Sequence, residues 1–143
     1  MKITVLAGDG IGIEVTREAV KVLNEVADIF GLHIETVEQL IGGAAIREKG
    51  LPFPEETKQS CRNSNAVLLG AIASVAMLFR YTAKNEEAAE AIENAIEKVL
   101  AEGYRTLDIS NDKTNFTKTD EIGNLVAKYA VELANMRYAF HAV

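Results

Sequence analysis

The sequence predicts a small three-layer α/β/α domain with a short parallel sheet, and three observations carry that prediction. Short apolar or β-branched runs at Ile3 to Ala7, His33 to Leu40 and Ala66 to Ile72 are separated by segments with apolar residues at helical spacing. Strands that alternate with helices imply right-handed crossovers and therefore a parallel sheet of about three strands. The second half has no clear strand and closes in a long amphipathic segment, which supplies helices to cover that sheet.

The elements follow in order. Ile3 to Ala7 runs into Gly8-Asp9-Gly10-Ile11-Gly12, after which Val15, Ala19, Val22, Leu23, Val26 and Phe30 mark one helix face as far as Gly31. His33 to Leu40 is a weaker strand. Gly42-Gly43 and Gly50-Leu51-Pro52-Phe53-Pro54 punctuate a loop with a short helical piece near Ala44 to Glu48, and helix resumes near Glu55 to Arg62. Ala66 to Ile72 is apolar throughout, the pattern of a parallel strand covered on both faces. From Ser74 the character changes, with an apolar stretch around Val75 to Tyr81. Asn85 is a helix cap ahead of Glu86 and Glu87, and Ala88, Ile92, Ala95, Ile96 and Val99 form an apolar face closed by Gly103. Tyr104 to Phe116 reads as a polar loop. Thr119 then caps a final helix with Asp120 and Glu121 in its first turn and Ile122, Leu125, Val126, Tyr129, Leu133, Met136 and Phe140 down one side.

The 143 residues are 48% hydrophobic and 25% charged. A chain of that length buries roughly 68% of its unfolded surface, so one domain over 1–143 is expected. Fifteen Lys and Arg against 21 Asp and Glu leave a net charge of -6 with no basic stripe, which argues against nucleic acid. Apolar stretches of only strand or helix-turn length argue against a membrane, and the expected location is the cytoplasm. The lone Cys61 excludes an intrachain disulfide. With no His or Lys beside it in sequence, it reads as a half-buried helix residue rather than a reactive thiol.

Four pieces of the first 72 residues, Gly8-Asp9-Gly10-Ile11-Gly12-Ile13-Glu14, Gly42-Gly43-Ala44-Ala45-Ile46, Leu51-Pro52-Phe53-Pro54-Glu55-Glu56-Thr57 and Ala66-Val67-Leu68-Leu69-Gly70-Ala71, together resemble the N-terminus of the 3-isopropylmalate dehydrogenases. These belong to the NAD-dependent β-decarboxylating dehydrogenases. Ser74-Val75-Ala76-Met77-Leu78-Phe79-Arg80-Tyr81 through Gly103-Tyr104-Arg105-Thr106-Leu107-Asp108-Ile109 resembles the same family's C-terminal helices, so 1–72 and 73–125 correspond to two ends that abut here. Residues 126–143 are a helical extension of unknown origin. The resemblance implies a strand order of 2-1-3. It also implies that the catalytic middle is absent: the substrate-gripping arginines, the Tyr and Lys pair, the Mg²⁺ or Mn²⁺ aspartates and the adenosine-binding loop map onto nothing in this sequence.

The expected function is therefore a truncated or engineered dehydrogenase-derived domain, not catalytic by itself. Its parent reaction is the NAD-dependent oxidative decarboxylation of 3-isopropylmalate in leucine biosynthesis. The alternatives are half of a split enzyme completed in trans, or a weak nucleotide-binding module. No catalytic residue or metal ligand is assigned, and no cofactor is expected as the chain stands, although NAD and Mg²⁺ or Mn²⁺ serve the parent family. Self-association through surface uncovered by the missing domain is a further expectation.

The glycine turn alone invites a cofactor reading. Gly8, Gly10 and Gly12 alternate, which is not the dinucleotide fingerprint, and a structural turn is favoured on pattern. The resemblance places the residue matching Ile11 beside the nicotinamide, which makes Gly10, Ile11 and Gly12 the candidate cofactor contacts. Ile13 stands where the family has proline at the first helical position. Gly42, Gly43 and Asp108 are weaker candidates, better explained by a positive-φ loop and by a solvated acid. His33 and His141 lack metal-ligand spacing.

Overall fold

The computed structural model describes residues 1–110 and 112–141, with only the backbone described for 137–141. Its elements are β1 (Lys2–Leu6), α1 (Ile11–Ile29), β2 (Glu35–Glu38), α2 (Gly42–Lys49), α3 (Glu55–Arg62), β3 (Ala66–Leu69), α4 (Ile72–Leu78), a π-helical turn (Phe79–Ala83), α5 (Glu86–Ala101) and α6 (Thr119–His141). β1 is central because its residues suit burial on both sides. It pairs in parallel with β2, Ile3 opposite Thr36, and with β3, Ile3 opposite Ala66, giving the expected order β2-β1-β3.

Side chains alternate across the sheet, so Ile3 and Val5 enter the main core with Leu68 while Thr4 points the other way. The Thr4 hydroxyl lies 2.8 Å from the Ser60 hydroxyl of α3 and 2.7 Å from that of Ser64. This satisfies a fully buried polar group and fixes α3 across β1. On the main-core face α1 buries Ala19, Val22, Leu23 and Val26, and it ends in a Schellman turn. Gly31 adopts φ 62°, its N–H donates to Asp28 O, and Leu32 N donates to Ala27 O at 2.9 Å.

Residues from both halves share this core. Val75, Ala76 and Phe79 pack with Ala88, Ile92, Ala95 and Val99 of α5 and with Val126, Ala127 and Ala130 of α6. The apolar stretch that showed no strand pattern is helical, and its π-helical turn places Arg80 beside α5. The Arg80 guanidinium donates to both Glu93 oxygens at 2.6 and 2.8 Å and to Glu86 at 2.8 Å. Asn85 caps α5 as the sequence indicates, accepting from Ala88 N at 3.0 Å, and Gly103 follows its last turn at φ 91°.

Two expectations are corrected. β3 is not covered on both faces: Leu68 is buried, but Val67 and Leu69 are 43% and 60% exposed. β3 is an edge strand, and α3 packs over β1 instead. Thr119 is the first helical residue of α6 rather than its cap. Lys118 holds the cap position, its carbonyl accepts from Ile122 N at 3.0 Å, and Glu121 reaches back to accept from Lys118 N at 2.9 Å. Phe140 of the expected apolar side lies outside the described side chains.

α6 meets α1 through small residues. Gly123 lies over Glu18, an almost completely buried carboxylate that pairs with Lys21 and lies 3.5 Å from the Arg17 guanidinium. Lys21 also donates to Asn124 Oδ1 of α6 at 2.6 Å. A Cβ on Gly123 would fall 2.8 Å from Glu18 Cβ. Helix propensity favours Ala over Gly by about 1 kcal/mol, whereas overpacking a filled site costs about 1–3 kcal/mol. The clash is the larger effect, so Gly123→Ala is expected to lower the urea midpoint; a raised midpoint would show that the α1–α6 contact tolerates the methyl group.

The outer side of α6 carries a second contact to α5. The Tyr129 hydroxyl donates to Glu102 Oε2 at 2.6 Å, and the Lys98 ammonium lies 3.9 Å from the ring centroid. The Glu102 carboxylate pushes Tyr129 up from its ordinary 10.0 to about 12. A folded-state pKa raised in this way stabilises the fold below pH 10 and loses that contribution as pH climbs to about 12. Stability measured by denaturant titration across that window is expected to fall more steeply for the unmodified chain than for Tyr129→Phe, and parallel curves would refute the contact.

Candidate functional site

Only residues 7–10 separate β1 from α1, so the chain turns sharply there. Gly8 and Gly10 do so at φ 70° and 58°, the left-handed region that a side chain disfavours. Gly12 serves another purpose: a Cβ at that position would overlap the Ala7 carbonyl oxygen. The helix starts at Ile11, which makes Ile13 its third residue. The expectation that Ile13 occupies the first helical position is corrected accordingly.

Asp9 performs the structural work of the turn. Its carboxylate accepts from Gly43 N and from Ala44 N at 2.8 Å, with the Arg47 guanidinium 3.5 Å away. α2 has no capping side chain at Ile41, so Asp9 caps it from across the chain and places negative charge at the positive end of the helix. This explains the glycine pair, since a Cβ on Gly42 or Gly43 would stand 2.6 or 3.0 Å from an Asp9 oxygen. Of the positive φ expected at both glycines, Gly42 has it, at 73°, and Gly43 does not. Gly42 and Gly43 therefore face the acid of the turn.

A crevice of about 650 Å³ lies on the other side of the turn, between the start of α1, the 106–108 loop and the start of α6. Ile11 lines it and is 67% exposed. Asp108 lines it too, so the structure brings together two candidates 97 positions apart. Gly10 and Gly12 shape the turn behind it. Glu14, Phe116, Lys118 and Asp120, which sequence reasoning did not single out as site residues, complete the walls. They converge because Thr117 N donates to Arg105 O at 2.7 Å and closes the loop on itself.

The electrostatics of this crevice are acidic. A hydrogen bond from Thr106, reinforced by backbone N–H groups and the charge of Lys113, holds the Asp108 carboxyl below the usual carboxylate range. Glu14, Asp108 and Asp120 thus set three carboxylates against the single ammonium of Lys118. Beside the Lys118 ammonium, the N–H groups of Gly10 and Ile11 at the turn donate to no acceptor among the described residues. Among the described residues no three His, Cys, Asp or Glu are arranged to hold a metal ion.

Comparison with known proteins places these features in a family. The family model for isocitrate/isopropylmalate dehydrogenase matches residues 2–74 and 70–126. The 3-isopropylmalate dehydrogenase of Aquifex aeolicus is 51% identical over 71 residues, and that of Methylococcus capsulatus 53% identical over 72 residues. Each alignment covers 50% of this chain and 20% of the relative, so the matched segment spans about a fifth of the length of these enzymes. A crystal structure of isocitrate dehydrogenase from Methylococcus capsulatus is 35% identical over 46% of this chain and 18% of that one, with a TM-score of 0.42.

The cap across the turn yields a direct test. Asp9→Ala is expected to destabilise the chain by about 1–2 kcal/mol and to accelerate hydrogen exchange at the Gly43 and Ala44 amides. Unchanged exchange there would mean that Asp9 does not hold α2.

Proposed function

Because the chain belongs to the isocitrate/isopropylmalate dehydrogenase family, we propose that it is a non-catalytic folding module of that family, a single domain over 1–143 in which two separate parts of the parent sequence are joined near residues 70–74. The observation that carries this reading is the meeting of the two family-model segments there, 2–74 and 70–126. The family's arginines, Tyr and Lys pair and metal-binding aspartates have no counterpart in the sequence, and the crevice beside Ile11 carries the wrong charge for the phosphates of NAD. Contact with the cofactor would be confined to its uncharged parts near Gly10, Ile11 and Gly12. No helix among the described residues is long and apolar enough to cross a membrane.

A specific feature favours a second reading, that the chain is one piece of a dehydrogenase completed in trans. β3 has an unpaired edge, and Val67 and Leu69 on its uncovered face, with Met77 of α4, place apolar side chains in solvent. Such a surface suits either the remainder of the parent protein or a second copy of this chain.

Purified protein with NAD, Mg²⁺ and 3-isopropylmalate is expected to give no sustained NADH absorbance. Turnover by the chain alone would overturn the first reading. Recovery of turnover only after mixing with a polypeptide carrying the rest of the parent sequence would establish the second. Light scattering on the same sample reads self-association directly.

A further inference from the structure

We propose that the depression between α1, α5 and α6, beside the start of α4, is a binding site for a small uncharged apolar molecule the size of a substituted single ring. Its volume is about 280 Å³ and its walls present only apolar surface. Val99 and Val126, both almost wholly buried, form the floor; Val15, Ile72, Ile96 and Ile122 form the sides. The Glu18 side chain contributes carbon alone, because its oxygens are taken by Lys21 and Arg17.

Three physical points select the occupant. Water is held where two or more polar partners meet it, and although Thr106 and Thr119 border this depression no polar surface is exposed within it. Dry apolar cavities of about 150 Å³ hold benzene, so one ring with alkyl substituents suits this larger space. A charged ligand would leave its charge desolvated without a donor, which costs more than the apolar contact returns. The walls belong to helices that share the buried core, so the site is formed before a ligand arrives. The site adjoins the crevice at Ile11, with which it shares Val15, Thr106 and Thr119, but the carboxylates of Glu14, Asp108 and Asp120 line only the crevice.

The test uses the full chain labelled at its Ile, Leu and Val methyl groups and titrated with toluene, with benzoate as the charged counterpart. The expected result is saturable shifts centred on Val15, Ile72, Ile96, Val99, Ile122 and Val126, a raised Tm, and at least about tenfold weaker binding of benzoate, whose carboxylate finds no donor. Ile122→Trp fills the space and is expected to abolish these shifts; Val15→Phe fills it from the opposite wall should that variant fail to fold. Shifts centred instead on Val67 and Leu69, a response linear in toluene, or undiminished binding in a folded filled variant would overturn the proposal.

Discussion

The contact between α1 and α6, closed over the buried carboxylate of Glu18, is what makes three strands a sufficient sheet. α1 turns Ala19, Val22, Leu23 and Val26 inward, more apolar surface than Ile3, Val5 and Leu68 can cover. α5 and α6 supply the remaining cover, and Gly123, Ala127, Ala130 and Ala134 are small enough to let α6 lie close. Glu18 tolerates burial because Lys21 and Arg17 neutralise it, and Lys21 extends that pairing to Asn124 on α6. Removing one partner would leave a charge without compensation, so this small polar cluster specifies the helix pairing at the same place where packing demands it.

Much of this architecture was legible because local signals agreed. β1, the glycine turn and α1 are marked by β-branched residues, alternating glycines and a period of 3.6, and Asn85 with Glu86 and Glu87 announces α5. α4 was not readable as a helix by itself, because Ile72 to Phe79 is apolar on nearly every side and periodicity says nothing about such a run. The pattern of β3 was read as covered on two faces. Val67 and Leu69 show the limit of that inference, since an apolar run records what a strand can be covered by and not whether the cover is present.

The site was legible only in part, and the reason is chemical. Glycine spacing distinguishes a turn from a dinucleotide fingerprint, but it cannot disclose where Asp9 points. The Asp9 carboxylate binds the amides of Gly43 and Ala44, which no local pattern encodes. Ile11 and Asp108 meet because a polar loop folds back through Thr117 and Arg105, again a contact between distant positions. The carboxylates this fold-back gathers give the crevice its acidic sign.

The two matched segments of the family are held together in this chain by contacts of their own. The turn, sheet order and helices are each secured by contacts within these residues: Thr4 to Ser60 and Ser64, Asp9 to α2, Arg80 to Glu86 and Glu93. On one face of the sheet the helices close on one another, and on the other α3 packs over β1. Beyond α3, Val67, Leu69 and the edge of β3 remain exposed.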